Sequence, residues 1–198
     1  VPGGLIVHLN GWPGVGKLTV GRALADRLGA RLIDNHLLHD VAIRCTGLAD
    51  PGRWPLYEKV RHAAYEALKD RPHADTLVIT NALCANDARE RQAWNHVVDL
   101  AIARNAPLVP VVLEADFEEN ARRLRSPDRA GRKLADPAVL RSFLTADSIQ
   151  KPDVPDLLVL DVTRLSADQA ADAICRHLRS GADDRFRPAT DRHRNLQP

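Results

Sequence analysis

Methionine is absent from this 198-residue chain, and lysine is scarce, accounting for five of its 28 basic residues. Cysteine is scarce too: Cys45, Cys84 and Cys175 are far apart and odd in number, and no C-x-x-C occurs. That pattern excludes a disulfide framework and leads us to expect reduced thiols. No apolar run approaches the ~18 residues of a membrane span, and no signal-peptide pattern opens the chain. We therefore expect no membrane partner and a cytoplasmic location. Net charge is nearly absent, at +2, which removes any global electrostatic argument for a long nucleic acid or an anionic membrane. There is no internal repeat. The length suits one well-buried domain and would cramp two. A monomer and a homodimer both remain open.

What is present alternates. "GLIVHLNG" reads as a buried strand feeding a turn. "LTVGRALADRLG" follows as a helix, with Val20, Leu24 and Leu28 on one face and Gly29 as its stop. "ARLID" is a second strand. Two helices, "LLHDVAIRC" and "LYEKVRHAAYEALKDR", flank the loop "TGLADPGRWP". "TLVIT", "PLVPVVLEA" and "DLLVLDV" complete five strands, with Pro110 awkward inside the fourth. Asp136 and Pro137 open one late helix; Ser166 and Gln169 stand at capping-box spacing in another. This alternation predicts an α/β fold, a parallel sheet with helices on both faces, spanning about residues 1–180. The tail 181–198 is expected to fray. Ligands in such folds collect beyond the carboxyl ends of the strands. Asn10, Asp34, Thr80 with Asn81, and Asp161 with Thr163 fall there.

The scarce lysine matters at Lys17. "GWPGVGKLTV" fits the Walker A loop: Gly11, Trp12, Pro13, Gly14, Val15 and Gly16 curl the backbone into an anion nest before a helix, and Lys17 reaches the outer phosphates. One thing is missing. Leu18 stands where the motif asks for a hydroxyl to hold Mg²⁺. Phosphate cradling by backbone and lysine survives that change. Thr19 and the strand-end carboxylate Asp34 remain as metal candidates, with nucleotide oxygens and waters supplying the rest. Asp34 has competing readings: metal ligand, acceptor of a hydroxyl proton, or cap of the next helix. His36 is a candidate substrate contact or a surface residue, and His8 reads as a core histidine. "ARRLRSPDRAGRK" brings Arg122, Arg123, Arg125, Arg129, Arg132 and Lys133 between the fourth and fifth strands, either as a solvated face or as a closing lid at about 122–136.

With "LIDNHLL", "VITNAL", "SPDRAGRKLADP" and "VLDVTRLS" in the same order, the chain resembles the small P-loop kinases of the shikimate kinase, gluconate kinase and chloramphenicol phosphotransferase type, roughly from Leu5 to Leu178. The resemblance implies a P-loop sandwich with strand order 2-3-1-4-5. It implies ATP as donor with Mg²⁺, and a small-molecule acceptor over Asp34, with His36, Arg53, Trp54, Tyr57 and Asn81 as candidate contacts. It places adenine between the start of the lid region, near Arg122 or Arg123, and the loop at Asp161 to Leu165. It also implies that the lid arginines Arg125, Arg129 and Arg132 stabilise the transferred group. A kinase of nucleosides, nucleotides or nucleic-acid ends is an alternative, with Trp54 and Tyr57 available for stacking. A non-catalytic nucleotide-binding protein with a weakened Mg²⁺ site is another.

Overall fold

Five short apolar segments pair as parallel strands in the order β2-β3-β1-β4-β5. The computed structural model describes residues 4–126, 134 and 136–181. Its elements run β1 (Ile6–Asn10), α1 (Lys17–Leu28), β2 (Arg31–Asp34), α2 (Asn35–Thr46), α3 (Arg53–Lys69), β3 (Leu77–Thr80), α4 (Ala88–Ala103), β4 (Leu108–Glu114), α5 (Phe117–Leu124), α6 (Pro137–Ala146), β5 (Leu158–Asp161) and α7 (Ala167–Ser180). The sheet order and the helices on both faces are those expected from the sequence. Part of the expected loop "TGLADPGRWP" is instead helical: α3 starts at Arg53 and takes in Trp54 and Pro55. Pro fits the first turn of a helix, where an N–H has no intrahelical partner.

Alternation along β1 divides the core. Val7 and Leu9 pack with Val20, Leu24, Ile174 and Leu178 beneath α1 and α7. Ile6 packs on the other face with Tyr65, Trp94, Val97 and Leu100 of α3 and α4. Pro110 is accommodated because the β4–β5 ladder begins only at Val111, so its missing N–H costs no bond to that neighbour. Arg104, only 1% exposed, was not singled out in the sequence. Its guanidinium donates to the carbonyls of Leu68, Arg71, Pro72 and Asp75 at 2.6–3.2 Å, tying the end of α3 to the approach to β3.

His8 sits on the α4 side of β1, 1% exposed, its ring 5.3 Å from that of Trp94. The pairing of Nε2 with Asn81 Oδ1 at 3.1 Å makes that nitrogen the donor. Burial pushes its pKa down to about 4; the Asn81 bond opposes this and the Lys17 charge adds to it. A folded-state pKa below the unfolded value means stability is complete above about 6.5 and drains as pH falls toward 4. We expect His8 to cost about 2 kcal/mol between pH 7.5 and pH 5. Urea unfolding of wild type and His8→Gln at both pH values checks this. The variant should lose less on acidification, and an equal loss would place the titration elsewhere.

Candidate active site

The register brings Asn10, Asp34 and Thr80 to one edge of the sheet, where the loop after β1 also opens. Gly14 has φ 94°, and a Cβ there would meet the Asn120 side chain and Leu124, the latter at 2.9 Å. Only glycine lets α5 seat against the loop. Gly16, at φ 104°, is the N-cap of α1 and makes no side-chain cap. The start of α1, with no side chain capping it, is a place that favours an anion. Lys17 Nζ donates to the carbonyls of Gly11 and Trp12 at 2.6 and 2.9 Å, so its ammonium lies over the loop. Trp12 lies near-parallel to Phe143 of α6, with centroids 6.4 Å apart. Leu18 is half-buried and Thr19 exposed.

A cavity of about 380 Å³ adjoins this loop. Val15, Gly16, Thr19, Arg122, Arg123, Thr163 and Leu165 line it, among others. It lies between α5 and the β5–α7 loop, where the resemblance puts adenine, and its size is that of a ligand site. Arg123 braces it: the guanidinium donates to the Val15 and Val162 carbonyls, both at 2.8 Å, and to Glu119 Oε1 at 2.7 Å. Arg122 holds the same carboxylate. Hydrogen bonds from Arg122 first, then Arg123, pull the Glu119 carboxyl down to about 2. Asp161 is not part of the lining. Its Oδ1 accepts from Thr163 N at 2.8 Å, and Thr163 Oγ1 accepts from Asp116 N at 2.9 Å, so these two residues shape the loop. A larger depression of about 450 Å³ lies between α1 and α7. Its lining includes the ion-paired Arg27 and Asp172 and contains no strand-end group, so it is not the candidate site.

Asp34 sits opposite Thr80 at the end of β2. Its Oδ1 accepts from His36 N at 3.0 Å, capping α2, and from Thr80 Oγ1 at 3.3 Å. Both bonds use one oxygen. Among the described residues none donates a hydrogen bond to Oδ2. Helix α1 passes close by, because a Cβ on Gly21 would meet Thr80 Cγ2 at 3.3 Å. His36 Nε2 is 3.7 Å from Asp40. Beyond Asp34, Asn35 Oδ1 accepts from the buried Tyr57 hydroxyl at 2.7 Å. His39 stacks on Tyr57 at 3.9 Å and meets Trp54 edge-on at 5.2 Å. Burial raises the Tyr57 pKa. Arg53, Trp54 and Tyr57 thus gather around His39, and Tyr57 reaches Asn35, the neighbour of Asp34. Asn35, His39, Arg61 and Arg89 join them unannounced. The one available signal was helical spacing: Arg61 follows Tyr57 by four residues.

Two strand-end groups do other work. Asn81 was a candidate acceptor contact, but it is 2% exposed, with its side-chain oxygen on His8. Asn10 donates to the Leu83 and Gln150 carbonyls, each at 3.1 Å, and accepts from Leu83 N at 2.7 Å. It clamps the loop after β3 to the approach to β5. Arg125 is the exposed C-cap of α5. Arg129, Arg132 and most of the expected lid lie outside the described residues, as does the tail beyond 181. Among the described residues, no three His, Cys, Asp or Glu side chains cluster as a metal site. None of the described helices is long and apolar enough to cross a membrane.

A parallel sheet in this order, with a glycine-rich loop running from β1 into α1, defines a P-loop nucleotide-binding fold. The chain belongs to the AAA domain family, whose model matches residues 7–136. Three solved small-molecule kinases share the fold. One is a gluconokinase from Sinorhizobium meliloti 1021, at 22% identity and TM-score 0.60 over 94% of this chain and 98% of that one. Another is a shikimate kinase from Acinetobacter baumannii, at 19% and 0.55 over 91% and 94%. The third is the Mycobacterium tuberculosis APS kinase, at 20% and 0.56 over 90% and 99%. No curated protein matches the sequence.

The missing hydroxyl at Leu18 yields a direct test. Leu18 is the second residue of α1, where serine is tolerated, so Leu18→Ser should fold and lose only part of a half-buried side chain. Its activity should reach half-maximum at lower Mg²⁺ than wild type, in a titration of turnover against metal. An unchanged metal profile would show that this position has no part in holding the ion.

Proposed function

We propose that this protein is an ATP-dependent phosphotransferase that moves the γ-phosphoryl group to a hydroxyl of a small molecule. The observation that carries the reading is Asp34 at the carboxyl end of β2, whose Oδ1 is anchored by the α2 backbone and Thr80 while, among the described residues, none donates to Oδ2. Kinases of gluconate, shikimate and APS share the fold, and the APS kinase was solved with AMPPNP and APS, which supports ATP as donor.

In this reading the Lys17 ammonium and the N-terminus of α1 hold the outer phosphates. The base occupies the cavity braced by Arg123. Oδ2 of Asp34 orients the acceptor hydroxyl and takes its proton as the oxygen bonds to phosphorus and ADP leaves. The residues present fit a nucleotide-borne Mg²⁺. Phosphate oxygens and waters would hold it, with Thr19 at the edge of the cavity as the candidate protein ligand once Asp34 is given to the acceptor hydroxyl, and the ion would neutralise the charge on the phosphate oxygens. Base stacking on Trp54 is disfavoured, because Arg53, Arg89 and His39 already lie against its ring.

ADP release across a panel of hydroxyl-bearing metabolites tests the proposal, with phosphorus NMR to identify the product. A phosphate ester formed in step with ADP is expected. ADP release with no dependence on any acceptor would overturn the reading.

A further inference from the structure

The phosphate loop carries an indole that the apolar core does not absorb. Trp12 is half-buried, and among the described residues no acceptor takes its Nε1–H. Its one ring neighbour among them is Phe143 of α6, inclined by only 15° with centroids 6.4 Å apart. That spacing is toward the long end of the range over which rings pair. Phe143 is itself 42% exposed, so the pair leaves aromatic surface open to solvent. Helix α6 sets this ring within an apolar surface. Val139, one turn before Phe143, shares its side of the helix, and both Val139 and Leu144 are exposed, while the buried Leu140 seats the helix. The only charged side chain of α6, Arg141, lies over the Phe117 ring at 3.9 Å. It is two residues from Phe143, a little over half a turn, and so lies on the other side of the helix. Single exposed apolar residues are ordinary, but three on one short helix beside an indole form a patch, and patches mark binding sites.

The position favours the acceptor over the nucleotide. Neither ring lines the cavity between α5 and the β5–α7 loop. The segment after α6 is stitched to the loop after β3: Ala85 N donates to the Ser148 carbonyl at 2.8 Å, and Gln150 N to the Leu83 carbonyl at 2.9 Å. Asn10, at the end of β1, donates to the Gln150 carbonyl. These bonds bring the C-terminal end of α6 to the carboxyl edge of the sheet, the edge on which Asp34 and Thr80 stand. Lys17 Nζ donates to the Trp12 carbonyl at 2.9 Å, so the residue that carries the indole also touches the ammonium given to the outer phosphates.

We infer that Trp12 and Phe143 bind a planar, uncharged ring of the acceptor, near the hydroxyl that receives the phosphoryl group. The ring stacks on the aromatic faces, Val139 packs at its edge, and the Trp12 Nε1–H donates to an oxygen of the acceptor. Stacked rings gain beyond the area they bury, and a flat ring keeps more atoms in contact with a flat surface than a puckered one does. Helix α6 turns no charge toward Phe143, so a charged ring would give up hydration there without a partner from this helix. The inference rests on the kinase reading for the hydroxyl, but ring binding stands on these residues alone.

Benzyl alcohol and its saturated counterpart cyclohexylmethanol test the site, because both are neutral and each carries one hydroxyl. In the binding arm each is titrated into the protein without nucleotide. The readout is the Trp12 Nε1–H resonance, assigned by its loss in Trp12→Leu. Saturable displacement by benzyl alcohol in the millimolar range is expected, with binding about fivefold weaker for cyclohexylmethanol and about fivefold weaker in Phe143→Leu. Should Phe143→Leu fail to fold, Val139→Ser, which removes an exposed side chain from the same patch, gives the comparison in its place. An unmoved resonance, or equal binding of the two alcohols, would show that the pair only props α6 against the loop and would overturn the inference. In the turnover arm, ADP release is compared for acceptor pairs that differ only in an aromatic against a saturated ring. A kcat/KM advantage of about fivefold or more is expected for the aromatic member, lost through KM in Phe143→Leu, and equal use would overturn the inference. If no acceptor releases ADP, the kinase reading fails, and the ring titration still decides this one.

Discussion

Asp34→Asn should lower kcat by a hundredfold or more while leaving ATP affinity within a factor of about two. The amide keeps the size of the carboxylate. Its remaining oxygen can still accept from His36 N and Thr80 Oγ1, so the α2 cap and the seat on β3 survive. What is lost is the second oxygen, which can no longer take a proton or offer a charge to a metal. In the proposed reading the nucleotide base occupies the cavity between α1, α5 and the β5–α7 loop, whose lining does not include this side chain. Steady-state turnover with one identified acceptor, together with calorimetric titration of ATP, separates the two effects. Near-normal turnover would reduce Asp34 to a helix cap. Parallel losses in turnover and ATP affinity would mean that it supports the loop rather than the reacting hydroxyl.

Lys17→Ala should weaken ATP about a hundredfold, close to 3 kcal/mol, with a much smaller loss of stability. The ammonium is a half-buried point charge over the Gly11 and Trp12 carbonyls and supports no part of the apolar core. Removing it costs the loop hydrogen bonds, on the order of 1 kcal/mol. It costs the nucleotide a cation that no neighbouring lysine can replace, since the chain has so few. Calorimetry and thermal melts of both proteins give the comparison. Unchanged affinity would remove the phosphate-loop role. A collapse of the melting temperature would show that the loop is built around Lys17 even without nucleotide.

Much of the architecture was legible in the sequence because it rests on local signals. Strand and helix periods, the Gly29 stop, Asp136 before Pro137 and the box at Ser166 and Gln169 each act within a few residues, and each stands in the structure. The glycine-rich loop was legible for the same reason, since its phosphate-binding geometry is made by consecutive backbone groups. Asp34 could be found because a strand end is a local position.

Which polar strand ends face the cleft was not legible. Asn10, Asp34 and Asn81 look alike in sequence, yet among the described residues Asp34 alone of the three has a side-chain oxygen that no donor reaches, Asn10 is consumed as a clamp, and Asn81 turns to His8. The partners that decide this are 73 residues away for His8 with Asn81 and 140 for Asn10 with Gln150. Arg123 was read as a candidate contact for the base; it lines the cavity, and its bond to the Val15 carbonyl, 108 residues away, also makes it a brace of that cavity. Nothing in the neighbouring sequence sets Arg61 apart, and it is the fold that buries it. The sequence alone determined the chain's periods, caps and phosphate loop, because these depend on neighbours one to four residues apart. The tertiary structure alone decided which polar groups are spent on one another and which remain for a ligand, because hydrogen bonding and desolvation depend on what the fold brings together.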